Sequence, residues 1–127
     1  MEVPRNFIQD RIESFKNAIV GLKDILLTEH NAWVHAVMTV FVLGLAWWLR
    51  IDHVHFILIL IFICMVWVAE AFNTVLEIVI DIVSPQFNQA ARRAKDIAAA
   101  AVLFASLGAL IAGLVLMGPS LLARLGF

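Results

Sequence analysis

Four polar side chains interrupt a long apolar run: Glu70, Asn73, Glu77 and Asp81. At about 100° per residue on a helix they fall within roughly 80° of one another, so three carboxylates and an amide share one narrow face. A carboxylate at the centre of a membrane helix costs about 2.5–3.5 kcal/mol on insertion scales, so such residues need a partner or a task. Glu77 with a second carboxylate suits Mg2+, which takes one or two carboxylates and fills its shell with phosphate oxygens and water. Glu29 is the natural second ligand, at the junction of the first two helical stretches. Glu70, the deepest of the set, is placed to take a proton from a buried hydroxyl. Lys95 can neutralise a transferring phosphate, and Asp96 beside it can orient Lys95 or Asn73. Together these groups suit a nucleotide arriving from water and a lipid arriving from the bilayer. The competing structural explanation pairs the carboxylates with basic residues of neighbouring helices, but the apolar spans offer no Lys or Arg at that depth; only Arg92, Arg93 and Lys95, near the boundary, are available.

The elements that must position these groups follow from hydropathy. The chain has 127 residues, one small domain, of which 63% are hydrophobic, against about 45–50% for soluble proteins. Nine basic and ten acidic residues nearly cancel, so net charge points to no nucleic acid partner. Cys64 is the single cysteine; it excludes an intramolecular disulfide and reads as a small apolar filler. The N-terminus is too charged for a signal peptide. Residues 5–28 read as an amphipathic helix with Ile8, Ile12, Phe15, Ile19, Leu22 and Leu26 on one stripe, suited to lie in the membrane interface.

Three spans follow, at 32–49, 54–83 and 97–117. The first holds eighteen residues without a formal charge, about 27 Å as a helix, close to the hydrocarbon thickness of roughly 30 Å. Trp33 at one end and Trp47 and Trp48 at the other suit the two interfaces. The segment from Arg50 to His53 makes a tight turn. The second span carries the acidic stripe and ends at Ser84-Pro85. The third is rich in Ala and Gly, with Ala98, Ala101, Ala105, Ala109 and Ala112 at helical steps, which favours close helix packing; Gly118-Pro119 is its expected stop. Arg5, Arg11, Lys16, Lys23, Arg92, Arg93 and Lys95 fall on one side, Arg50 and Arg124 on the other. That bias predicts a cytoplasmic N-terminus, an outward C-terminus and a stripe that opens to the cytoplasm. The fold class is therefore an all-α membrane protein, an amphipathic surface helix plus three transmembrane helices.

No conventional nucleotide motif is present. The glycines are scattered, with neither GxxxxGK[ST] nor GxGxxG. His53 and His55 form an HxH with no further ligand nearby, weak ground for a metal site.

The motif Glu70-x-x-Asn73-Thr74-x-x-Glu77-x-x-x-Asp81, with Ser84-Pro85 and Ala94-Lys95-Asp96 after it, closely resembles the signature of the bacterial diacylglycerol kinase family. The likeness extends over nearly the whole chain, from Ser14-Phe15-Lys16-Asn17-Ala18 through Glu29 to the third span. It implies an ATP- and Mg2+-dependent lipid kinase of the bacterial cytoplasmic (inner) membrane, acting on diacylglycerol or undecaprenol. Glu70 would be the catalytic base and Glu29 and Glu77 the magnesium ligands. Asn17, Asn73, Gln86, Phe87, Asn88, Lys95 and Asp96, with Glu29 and Glu77, would make up the nucleotide environment. The family forms homotrimers with shared active sites, which suits a chain with only three spans. One departure stands after the Ser-Pro turn, where a tyrosine–histidine pair is frequent and Phe87-Asn88 occur here. Thr28-Glu29-His30-Asn31-Ala32-Trp33-Val34-His35 looks more like the Gram-positive-type branch, which includes undecaprenol kinases. Two other readings compete: a proton-coupled transporter subunit working through Glu70, and a non-catalytic membrane assembly protein built on the small residues of the third span.

Overall fold

A computed structural model describes residues 7–126. They form four helices: α1 (Phe7–Thr28), α2 (His30–Leu49), α3 (His53–Val83) and α4 (Gln89–Leu125). Residues 5 and 6 of the expected N-terminal helix lie outside the described residues. Three of the helices, α2, α3 and α4, are long and apolar enough to cross a membrane.

The connections are short and each has a local cause. Between α1 and α2 only Glu29 leaves the helical conformation, with φ −100° and ψ 117°. The α2–α3 turn is a Schellman motif. Arg50 is left-handed at φ 53°; its N–H donates to the Trp47 carbonyl at 3.2 Å and the Ile51 N–H to that of Ala46 at 3.4 Å. Asp52 then caps α3, its Oδ1 accepting from the backbone N–H groups of Val54 at 2.9 Å and His55 at 3.1 Å, which satisfies two otherwise orphan donors. The Asp52 carboxyl is held below its usual range, first by the His55 side chain and next by the His55 backbone N–H. After Pro85, Asn88 caps α4 in the same way, accepting from Ala90 and Ala91.

Two sequence expectations need correction. The last helix begins at Gln89 and runs through Gly118-Pro119 to Leu125. A proline removes one N–H and so orphans one carbonyl, that of Val115; neighbouring helices and local adjustment make this tolerable in a membrane helix. The true stop is Gly126, left-handed at φ 87°. Arg124 secures this extra length: its Nη1 donates to the Trp48 carbonyl at 3.0 Å, and its guanidinium lies 4.6 Å from the centroid of the Trp48 ring. Cys64, expected as a filler, is exposed.

The α3–α4 pair makes the most extensive interface, and α2 packs against both. Where the Arg124–Trp48 contact sits, Ala46, Leu49, Ile59 and Met117 form the apolar core. Midway, Gly108 faces the Phe62 ring, and a Cβ there would lie 3.7 Å from it, an ordinary van der Waals contact. Further along α3, toward the α3–α4 turn, the buried residues are polar: Glu70, Asn73 and Thr74. Helix α1 buries none of its described residues, and Ile8, Ile12, Phe15, Ile19 and Leu22 are exposed.

Candidate active site

The polar end of the bundle is built around Glu70. Its side chain is 1% exposed, the largest fully buried side chain among the described residues. Thr74, one turn on, returns its hydroxyl to the Glu70 carbonyl at 3.1 Å, so it supports the helix rather than the carboxylate. Asn73 is also buried, and its Nδ2 donates to Glu77 Oε1 at 3.0 Å. This i, i+4 bond fixes the amide and leaves Asn73 Oδ1 buried without a partner.

Glu29 stands at a different helix junction, between α1 and α2. It occupies the N-cap position of α2, yet its side chain makes no cap hydrogen bond; it lies 3.4 Å from Thr28 Oγ1, whose proton goes chiefly to the Asp24 carbonyl at 2.9 Å. A carboxylate beside a helix N-terminus is favoured by the macrodipole, and here it stays available to a ligand. Both Glu29 and Glu77 lie within electrostatic reach of Glu70.

Lys95 pairs with a carboxylate of the stripe, as the structural explanation allowed, and not with Asp96. Its Nζ donates to Asp81 Oδ1 at 2.5 Å, joining α4 to the outer end of the stripe on α3. Asp96 contacts neither Lys95 nor Asn73. It is 71% exposed and pairs at 3.9 Å with Arg92, four residues earlier on the same helix. The correction has a geometric cause: adjacent helical residues point about 100° apart, so Lys95 can face α3 only if Asp96 faces elsewhere. Around the turn, Phe87 is exposed and Gln86 contributes its carbonyl to a bond from Ser84 Oγ at 3.4 Å. Asn88 has its carbonyl oxygen engaged in the α4 cap, with its amide N–H groups left over. Asn17 is exposed on α1, twelve positions before Glu29 and so about 18 Å away along the helix; no hydrogen bond joins it to the cluster.

His35 is the neighbour that residue spacing could not place. Its Nε2 lies 3.6 Å from Glu70 Oε2, and both atoms are buried without a hydrogen-bond partner. The imidazole meets the Trp67 ring edge-on, with centroids 6.4 Å apart and planes at 67°. Trp67 is in turn fixed to α2 by its Nε1–H, which donates to Thr39 Oγ1 at 3.1 Å. Below His35 a groove of about 410 Å³ opens between α2, α3 and α4, lined by apolar side chains with His35, Thr39 and Ser106 as its polar members. A volume in this range is ordinary for a ligand cleft.

Comparison with known proteins bears on this arrangement. Residues 16–117 match the family model described as prokaryotic diacylglycerol kinase. A diacylglycerol kinase of Synechocystis sp. is 34% identical over 111 residues, which cover 87% of this chain and 63% of that protein, less than two thirds of its length. The diacylglycerol kinase of Escherichia coli K12 is 28% identical over 97 residues, covering 76% of this chain and 80% of the relative. The undecaprenol kinase of Bacillus subtilis is 28% identical over 117 residues, covering 92% and 95%.

Proposed function

The chain belongs to the prokaryotic diacylglycerol kinase family, and on that premise we propose that it transfers the γ-phosphoryl group of MgATP to the primary hydroxyl of a membrane lipid alcohol. The observation that carries this reading is Glu70, a fully buried carboxylate with an unpartnered oxygen on a membrane-grade helix. From it a line of polar side chains runs about 16 Å along α3 to the Asp81–Lys95 pair. That line gives a lipid hydroxyl and a water-borne nucleotide a common meeting place. Membership of this family does not favour the proton-coupled transporter.

In this mechanism Glu70 is the general base. The acceptor oxygen attacks the γ-phosphorus in line, its proton passes to Glu70, and the bond to the β–γ bridging oxygen breaks to release ADP. Positioning supplies most of the remainder, since phosphoryl transfer asks little covalent chemistry of the protein. Lys95 Nζ uses one of its three donors on Asp81 and has two left for phosphate oxygens. Phe87 offers an exposed ring face to a base, with Gln86 and Asn88 beside it as polar contacts to the nucleotide; Asn17, about 18 Å from Glu29 along α1, and Asp96, paired with Arg92, are assigned no contact.

The donor set suits magnesium. Among the described residues no group of three or more His, Cys, Asp or Glu side chains could hold a metal ion. Two glutamates from different elements, completed by substrate phosphate, are the usual Mg2+ arrangement rather than an all-protein cage. Glu29 and Glu77 would hold the ion, with Asn73 orienting Glu77 through its 3.0 Å hydrogen bond. Bound there, Mg2+ would neutralise charge on the β- and γ-phosphates.

The same reading covers assembly and placement. The chain acts as one membrane-embedded catalytic unit in the bacterial cytoplasmic membrane, with its N-terminus and the α3–α4 turn in the cytoplasm and α1 lying in the interface. A homotrimer with shared sites would cover part of the apolar surface that a single chain leaves exposed, including Phe72, Leu103 and Phe104. Diacylglycerol and undecaprenol both present a primary hydroxyl on a long apolar body, and relatives named for each are similar to this chain. The test is transfer from labelled ATP by protein in lipid micelles, with both alcohols side by side. Turnover of at least one supports the reading; none with either overturns it.

A further inference from the structure

His35 has no place in the mechanism above, yet its ring is packed beside the buried carboxylate. The ring is held on one edge by Trp67, which the bond to Thr39 Oγ1 locks to α2. It presents Nε2 toward Glu70 Oε2 across 3.6 Å, beyond a sound direct hydrogen bond. Neither atom has another partner, and buried polar atoms without partners are rare enough to need a reason. A neutral imidazole with its hydrogen on Nε2 is a donor, and an ionised carboxylate is an acceptor. A hydroxyl is both. Seated beside the pair, one oxygen about 2.8 Å from each atom accepts from one and donates to the other. At 3.6 Å separation that oxygen subtends about 80°, and widening the gap by less than about 1 Å brings the angle to that of a relaxed hydroxyl.

Resting on the lipid kinase reading, we propose that His35 is a catalytic residue that grips the acceptor hydroxyl: Nε2–H donates to the alcohol oxygen while Glu70 Oε2 takes its proton. His35 itself neither gains nor loses a proton. The oxygen's attacking lone pair is turned toward phosphorus because its other directions are claimed. The O–P bond forms, the proton ends on Glu70, and the electron pair of the broken bond leaves on ADP. The groove beneath His35, with its apolar walls, carries the alcohol's hydrocarbon chain away from this point.

The test uses the full chain in lipid nanodiscs, with three variants and two readouts. Turnover is measured with the better alcohol. Binding of that alcohol and of its deoxy analogue, identical but for the missing hydroxyl, is measured separately with ADP present. His35→Leu is expected to lower kcat about tenfold or more and to cut the preference for alcohol over deoxy analogue about tenfold, as one lost hydrogen bond allows. His35→Gln, whose amide N–H reaches the region of Nε2, should restore most of both; His35→Asn, whose amide stops near Nδ1, should not. Wild-type kcat and preference in His35→Leu overturn the proposal. So does a loss of kcat in all three variants with the preference intact, because that marks His35 as packing alone. If wild-type protein phosphorylates no alcohol, the kinase reading falls. The binding arm still decides the contact: a His35-dependent preference supports it, and equal binding of the two lipids overturns it.

Discussion

Replacing Asp81 by Asn separates what the stripe does for stability from what it does for the nucleotide. The change keeps the side chain's size and removes its charge, so the 2.5 Å bond from Lys95 loses its ionic part. Lys95 and Asp81 are 35% and 66% exposed. Pairs in such surroundings contribute about 0.2–1 kcal/mol, and water screening places this one toward the lower half. Unfolding stability should therefore fall by no more than about 0.5 kcal/mol. The nucleotide effect should be larger relative to that small figure. Lys95 carries about 2 kcal/mol of rotamer entropy, part of which Asp81 removes before any phosphate arrives. Without the tether, ordering falls to the binding step, and KM for MgATP should rise about two- to fivefold with kcat little changed. The assay is an ADP-coupled titration of MgATP at fixed lipid, beside a denaturation curve of the same preparation. The difference from wild type should shrink as ionic strength rises. A large loss of stability with an unchanged KM would refute the reasoning and make Asp81 a structural tie between α3 and α4.

Two further outcomes follow from the geometry. Glu77→Gln should raise the magnesium concentration needed for half-maximal turnover about tenfold or more, consistent with loss of one of two carboxylate ligands; an unchanged magnesium titration would remove Glu77 from the metal. At the opposite end, the Asp52 carboxyl titrates below its ordinary value of 3.8 because His55 and the cap hold it ionised. Its contribution to stability is therefore fully present above that value and is lost as pH falls through the lower folded value. Acid unfolding of Asp52→Asn, which keeps a capping oxygen, should show a weaker dependence on pH in that window than wild type, and Asp52→Ala should be less stable than either at neutral pH; identical acid profiles would contradict this.

Spacing along one helix made part of the site legible, and contact between helices hid the rest. The shared face of Glu70, Asn73 and Glu77 was readable from the 3.6-residue repeat, and the Asn73–Glu77 bond is its direct product. The three long spans and their turns were readable because apolar length and Pro85 are local signals. Nothing in a one-dimensional pattern says which residue of α2 faces Glu70, so the His35 contact at 3.6 Å could not be read from spacing. Its signal was only a histidine in an otherwise uncharged span. Asp96 was misplaced by the same limit: nearness in sequence to Lys95 suggested partnership, and helical geometry turns the two apart. The overrun past Pro119 reflects a rule for water applied inside a bundle, where Arg124 and the Gly126 cap carry the helix onward.

The central claim is that Glu70 removes the proton from a lipid hydroxyl. Single-turnover transfer from labelled ATP by wild type and by Glu70→Gln, in the same lipid and at saturating MgATP, measures it most directly. The amide fills the same buried volume and cannot accept the proton in the required sense, so the rate should fall about 10²–10⁴-fold while nucleotide affinity stays close to wild type. A Glu70→Gln protein that transfers phosphate at the wild-type rate would contradict the account.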